Sequence, residues 1–165
     1  MNTRIEWAKH APEAYKAMVG LEQALAKSGL ESSLLELVRL RASQINGCAY
    51  CINMHANDAR QAGETEARLQ TLSVWQETAY FTPRERAALA WVENLTRLPE
   101  RGAPQPEYEA LQAHFEPQEV VNLTLAIATS SSGKDVLSLT GVKAMLDRTS
   151  PTAARRDRRP RRKAS

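Results

Sequence analysis

Long apolar runs are missing from this chain of 165 residues. No stretch approaches the roughly eighteen consecutive apolar residues of a membrane helix, which excludes a membrane span. The first six residues contain no apolar core and already include an acidic side chain, so they do not resemble a secretory signal. We therefore expect a cytoplasmic protein. The length predicts one domain with a sizeable core.

Cysteine is scarce, because the chain has only two. Two cysteines are too few for a disulfide scaffold, and in the cytosol a close pair is more often catalytic or metal-binding than structural. Sustained alternation of apolar and polar residues is missing, which argues against strands. No glycine-rich phosphate loop follows a strand, so we expect no flavin, nicotinamide or other cofactor.

Charge is distributed unevenly along the chain. Residues 151–165 hold seven basic residues and one acidic residue, a charge of +6. The rest holds 15 basic and 18 acidic residues, a charge of −3. A mildly acidic body gives no basis for a nucleic-acid partner. Residues 149–165 are rich in Ser, Thr, Pro, Ala and Arg and offer no apolar face, so we expect a disordered tail after a domain of residues 1–148.

The sequence before this tail is typical of helices, and the predicted fold class is all-α. Apolar residues recur at helical spacing, glycines follow several of these runs, and Thr82 and Glu85 are placed to form a capping box. After residue 129 the Ser-Ser-Ser-Gly stretch is expected to end a helix abruptly, with a weak helix near 136–146. The predicted helices are 12–28, 32–45, 48–62, 65–74, one opened at 82, 106–115 and 117–129.

Both cysteines lie in one short motif, Cys48-Ala49-Tyr50-Cys51. On a helix, residues three apart lie about 5–6 Å apart at Cβ, close to disulfide range. Cys48 is predicted in the first turn, where the helix terminus stabilises a thiolate. His55 follows Cys51 by four residues, so a proton can pass between the imidazole and the Cys51 sulfur. The two effects favour different cysteines as the more acidic thiol.

A thiolate of this kind can reduce a peroxide. It attacks a peroxide oxygen, becomes a sulfenic acid and condenses with a neighbouring thiol to a disulfide. A carboxylate is needed to orient His55, and Glu36 is the best candidate because it interrupts an otherwise apolar helix face. If the Asn46-Gly47 break folds the two helices together, Glu36 can reach His55. Arg39, Arg41 and Arg60 are expected to form salt bridges.

These residues resemble a known family, the carboxymuconolactone decarboxylase-like proteins, in the alkylhydroperoxidase D-like (AhpD-like) branch. The pattern is Glu36, eleven residues, the Cys48–Cys51 pair, three residues and His55. Residues 39–51 (RLRASQINGCAYC) and the following Asp58-Ala59-Arg60 also resemble that branch. The similarity extends from about residue 7 to about residue 129.

The resemblance implies an all-helical domain with the CxxC pair at the N-terminus of a central helix, assembled into trimers or hexamers through helix packing. It implies hydroperoxide reduction in which Cys51 is oxidised, while Cys48 acts as proton donor and resolving thiol. His55 and Glu36 form the proton relay. An external dithiol or thiol protein must then reduce the disulfide.

The sequence departs from this family in two places. Members often have a histidine just before the second cysteine, where this chain has Tyr50, so one possible member of the relay is missing. Members also usually continue the last helix with a segment containing Asn and Trp. Residues from Ser130 onward lack that pattern, as a reading-frame change or a diverged terminus would produce.

Other functions use the same residues. A thiol–disulfide exchange partner or redox sensor would use the same four residues but react poorly with peroxide. A metal-binding module would use the two cysteines and His55, with His10, His114 or a carboxylate as the fourth ligand. Lactone decarboxylation, the reaction in the broader family's name, would leave the cysteine pair without a role. Peroxide reduction is the function we expect, with Cys51, Cys48, His55 and Glu36 as its catalytic residues.

Overall fold

The computed structural model describes the backbone of residues 5–140 and the side-chain surroundings of residues 5–131. Within this range the chain is all-helical and contains no strand, as predicted. None of the described helices is long and apolar enough to span a membrane. The helices are α1 (Trp7–His10), α2 (Pro12–Ala26), α3 (Ser32–Asn46), α4 (Ala49–Gln61), α5 (Glu66–Thr71), α6 (Pro83–Thr96), α7 (Leu98–Arg101), α8 (Gln105–Gln112) and α9 (Pro117–Thr140), with a 3-10 helix, Leu72–Glu77, before α6.

Helix α3 is the centre of the fold. It packs against α4, α6 and α9, and its two sides belong to two separate apolar clusters. Leu34, Leu35 and Val38 face the cluster shared with α6 and α9, whereas Leu37 and Leu40 face the cluster shared with α4 and the 3-10 helix. Burial on both sides fixes the orientation of α3, and therefore of the polar side chains it carries.

The capping box predicted at the start of α6 is present. The Thr82 hydroxyl accepts a hydrogen bond from the Glu85 backbone N–H at 3.3 Å, and the Glu85 carboxylate accepts one from the Thr82 N–H at 2.7 Å. Pro83 occupies the first helical position, where its missing N–H has no intrahelical partner to lose. Local chemistry therefore sets this boundary without help from distant residues.

Several helix boundaries differ from those predicted, most clearly after residue 129 and in the segment 65–74. The Ser-Ser-Ser-Gly stretch does not end a helix, because α9 continues through it to Thr140. The Ser130 hydroxyl donates to the Ala126 carbonyl at 2.9 Å, a bond that a serine makes without leaving the helix. The segment 65–74 is only partly α-helical, since α5 ends at Thr71 and Val74 has non-helical dihedral angles (φ −126°, ψ 34°). The predicted tail, 149–165, lies outside the described residues.

Candidate active site

The site is built around the break between α3 and α4. Gly47 adopts a left-handed conformation (φ 63°, ψ 38°) that is open to glycine at little cost and strained for most other residues. The backbone N–H of Cys48 then donates to the Ser43 carbonyl at 3.1 Å, closing the C-terminal turn of α3. Asn46-Gly47 therefore folds α4 back against α3, as expected.

Cys48 and Cys51 are joined by a disulfide, with their Cα atoms 5.3 Å apart. Helix α4 begins one residue later than predicted, so Cys48 is its N-cap and Cys51 lies in its first turn. The Cys48 sulfur accepts a hydrogen bond from the Cys51 N–H at 3.3 Å. The helix terminus therefore contacts the Cys48 sulfur directly. Cys51 is buried, with 5% of its surface exposed, whereas Cys48 is half-buried.

His55 and Glu36 form the contact that the sequence could only suggest. Nδ1 of His55 lies 2.8 Å from Oε2 of Glu36, and the two side chains are 12% and 13% exposed. His55 also lies four residues after Cys51 within α4, so the two side chains share one face of the helix. The structure thus pairs Glu36 of α3 with His55 of α4, the helix that the Cys48–Cys51 pair opens.

Glu36 is held from two sides. Its other oxygen, Oε1, accepts a hydrogen bond from Nη1 of Arg39 at 2.9 Å. Burial raises the pKa of the Glu36 carboxyl, but the hydrogen bond and charge of His55, together with Arg39, outweigh burial and hold that pKa below its ordinary value. An ionised carboxylate can only accept hydrogen bonds, so the proton in the contact lies on Nδ1 of His55. When the imidazole is neutral, this arrangement leaves Nε2 without a proton and able to act as a base.

Asp58 is the next acidic residue at this site. Its carboxylate lies within 4.8 Å of ligand atoms of Glu36 and His55, and these three residues are the one potential metal-ligand group in the described part of the chain. The metal set considered from the sequence is not assembled, because Cys48 and Cys51 share a disulfide and neither His10 nor His114 joins the group. Arg39 already occupies one oxygen of Glu36.

No sequence pattern connects Glu22 with this site. Nη2 of Arg39 donates to Oε2 of Glu22 on α2 at 2.7 Å, so one guanidinium bridges Glu22 and Glu36. Salt bridges were expected for Arg39, Arg41 and Arg60, and all three form them. The partners lie as far as 52 residues away along the chain, which no local pattern indicates.

The all-helical fold, with a CxxC pair opening a helix beside a histidine–glutamate pair, is that of the AhpD-like proteins. The chain belongs to the carboxymuconolactone decarboxylase family, whose family model matches residues 12–94. The resemblance inferred from the sequence is thereby confirmed.

Individual relatives agree with this assignment. The uncharacterised protein YdfG of Bacillus subtilis is 38% identical over 127 residues, which cover 77% of this chain and 86% of YdfG. A solved structure from Agrobacterium tumefaciens, described as a protein of unknown function and a candidate antioxidant defence protein AhpD, is 41% identical. It superposes with a TM-score of 0.80 over 86% of this chain and 97% of its own.

The same fold also occurs in a protein that is named as a debrominase. The debrominase Bmp8 superposes with a TM-score of 0.72 over 81% of this chain and 72% of its own, at 16% identity. Similarity at that level concerns the fold alone. The reaction of this chain must therefore be inferred from its own site residues.

Proposed function

We propose that this protein is a thiol peroxidase of the AhpD type, which reduces organic hydroperoxides through Cys51 and Cys48. The observation that carries the proposal is the hydrogen bond of His55 with Glu36, placed one helical turn after the Cys48–Cys51 pair. A cysteine pair alone supports several redox reactions. A buried base beside one of its sulfurs supplies the proton transfers that peroxide reduction requires.

In the first step, Nε2 of His55 takes the proton of the Cys51 thiol. The Cys51 thiolate attacks the terminal oxygen of the hydroperoxide, and the O–O bond breaks. Cys51 becomes a sulfenic acid and the substrate leaves as an alkoxide, which receives the proton from His55 and departs as an alcohol. Glu36 stabilises the imidazolium that exists between the two proton transfers.

In the second step, the Cys48 thiol attacks the Cys51 sulfenic acid. A disulfide forms and one water molecule is released. The cycle closes when an external dithiol or thiol protein transfers two electrons to the disulfide. Cys48 is the more exposed of the two residues, so we propose that the reductant attacks the Cys48 sulfur and releases the Cys51 thiol.

The test is intact-mass analysis of the reduced protein after brief exposure to tert-butyl hydroperoxide, with peroxide loss followed in parallel. We expect rapid loss of two hydrogens in the wild type, as the disulfide forms. Cys51→Ser should abolish peroxide consumption. Cys48→Ser should instead gain one oxygen atom, as a trapped sulfenic acid. Normal turnover in Cys51→Ser would show that the roles are assigned wrongly.

Thiol–disulfide exchange is the rival function, and it uses the same cysteines. Oxidised glutathione serves as the comparison oxidant under the same conditions. A peroxidase reacts faster with tert-butyl hydroperoxide than with the disulfide, because Cys51 is buried and His55 assists alkoxide departure. Faster oxidation by glutathione disulfide would instead establish an exchange partner or redox sensor.

A further inference from the structure

Arg39 occupies a particular place behind the candidate site. It lies on α3, one turn after Glu36, and only 12% of its side chain is exposed. Its Nη1 donates to Oε1 of Glu36 at 2.9 Å and its Nη2 donates to Oε2 of Glu22 at 2.7 Å. Glu22 lies on α2 and is 42% exposed. Four side chains on three helices therefore form a continuous line from the protein surface to His55.

The charges around Glu36 come from two of these helices. Arg39 approaches from α3, and His55 and Asp58 approach from α4. Glu22 of α2 faces Arg39 rather than Glu36. Asp58 is exposed and, when ionised, opposes the ionisation of Glu36. Arg39 is therefore the permanent positive charge that counters both the burial of Glu36 and the neighbouring Asp58.

We propose that Arg39 is a positioning residue of the proton relay, anchored by Glu22, which fixes the Glu36 carboxylate so that its second oxygen faces Nδ1 of His55. The inference rests on the proposed peroxidase function for its catalytic consequence. The proposed ionisation and orientation of Glu36 do not depend on that function.

The geometry of the two hydrogen bonds supports this role. A guanidinium presents its N–H groups in a rigid planar fork, so a bond to Glu22 at one end restricts the direction of the bond at the other. With Oε1 of Glu36 bound, the carboxylate cannot rotate without breaking the ion pair. Oε2 then remains available to accept a hydrogen bond from the Nδ1–H group, which leaves Nε2 of His55 as the base.

The test compares Arg39→Met with a matched control, Arg84→Met. Arg84, in the first turn of α6, also bridges two glutamates, Glu31 and Glu119. None of these three residues belongs to the candidate site. Both variants lose an arginine that joins separate parts of the chain. A purely structural role would therefore give the two variants similar properties.

Two readouts are needed, and one does not depend on activity. Titration of the Glu36 carboxyl by carbon-13 NMR, assigned with Glu36→Gln, reports its protonation directly. The rate of disulfide formation with tert-butyl hydroperoxide, measured against pH, reports the relay. In Arg39→Met the Glu36 pKa should rise, because burial and Asp58 remain while the guanidinium is gone. The acid limb of the rate profile should move to higher pH.

The expected rate loss in Arg39→Met near pH 6 is about 10- to 100-fold, a part of what a positioned general base contributes. Arg39→Lys retains the charge and should restore the Glu36 titration and part of the rate. Arg84→Met should match the wild type in both. If Arg39→Met does not fold, Arg39→Gln removes the same charge with a polar side chain.

Each outcome is decisive. An unchanged Glu36 titration in Arg39→Met, or equal changes in Arg39→Met and Arg84→Met, would overturn the inference. A wild type that does not react with peroxide would overturn the proposed function only. In that case the NMR titration alone still decides whether Arg39 holds Glu36 in its ionised form.

Discussion

Glu93 forms a buried ion pair with Arg41, outside the candidate site. Its Oε1 accepts hydrogen bonds from Nε and Nη2 of Arg41 at 3.0 and 2.6 Å, and from Nε1 of Trp75 at 3.0 Å. Glu93 is 4% exposed and Arg41 is 8% exposed. Burial raises the pKa of Glu93, but Arg41 and Trp75 outweigh burial and lower it.

Glu93→Gln should destabilise the fold by about 3–5 kcal/mol at neutral pH, because it leaves the Arg41 charge buried without its counter-ion. The folded-state pKa of Glu93 lies below its unfolded value of 4.5. Its contribution is therefore complete above the unfolded pKa and is lost as the pH falls through the folded pKa. The difference in the free energy of unfolding between Glu93→Gln and the wild type should therefore become smaller below pH 4.5.

Urea unfolding at several pH values measures this difference. Glu66→Gln is the control, because Glu66 pairs with Arg60 at the exposed surface, where water and salt screen the ion pair and its loss should have little effect. A loss in Glu93→Gln no larger than that of Glu66→Gln would show that the buried pair contributes little.

The residues of the candidate site could be predicted one by one from the sequence, but the ion pairs that link them to other helices could not. Cys48, Cys51 and His55 lie within eight residues, so helical spacing alone places them together. Glu36 was included because a carboxylate interrupts an apolar face. The bridge from Arg39 to Glu22 depends on how α2 packs beside α3, which spacing within either helix does not report.

At the scale of helices, Gly47 determines where the cysteines lie relative to Glu36. A Cβ atom added at Gly47 would contact nothing within 4 Å, so the cost of a substitution arises from its left-handed backbone alone. We expect Gly47→Ala to lower the free energy of unfolding by about 1–2 kcal/mol and to slow disulfide formation. Urea unfolding and the mass assay with tert-butyl hydroperoxide measure the two effects.

Gly20 provides the control for Gly47. It lies inside α2, and a Cβ there would also contact nothing within 4 Å. Its backbone is helical, so Gly20→Ala should stabilise the protein by about 0.5–1 kcal/mol. Equal effects of the two alanines would contradict a special role for the Gly47 backbone.

Helix boundaries were predicted well where capping residues define them and poorly where a break had to be inferred from composition. Thr82 and Pro83 gave the start of α6 correctly. The serines from Ser130 onward were taken as a helix end, but α9 continues past them. Serine hydroxyls can bond to the preceding helical turn, and the helix is supported by packing against α3, so a weak local preference was overridden.

At the scale of the whole molecule, one face of α9 remains exposed although it is apolar. Val121 is 58% exposed and Leu125, one turn later, is 38% exposed. We propose that this face packs against a second copy of the chain, in the homo-oligomer that the family resemblance implies. Large apolar side chains that adjoin each other on a surface are typical of such contacts.

Sedimentation equilibrium tests this proposal. The wild type should have the mass of an oligomer, a multiple of the 18.3 kDa of one chain. Val121→Glu should shift the mass distribution towards the monomer. Val74→Glu is the control, because Val74 is 45% exposed in the 3-10 helix and lies away from α9. A monomeric wild type, or equal effects of both substitutions, would rule out the α9 contact.

The amino-acid sequence alone predicts the helical class, the capped start of α6 and the candidate site residues Cys48, Cys51, His55 and Glu36. Those features depend on interactions within a few residues, on periodicity and on helix termini. The packing of the helices places Oε2 of Glu36 2.8 Å from Nδ1 of His55 and buries Cys51 more deeply than Cys48. It also lets Arg39 link Glu36 to Glu22. These contacts join separate helices, and their geometry follows from the two-sided burial of α3, which fixes the direction of every polar side chain it carries.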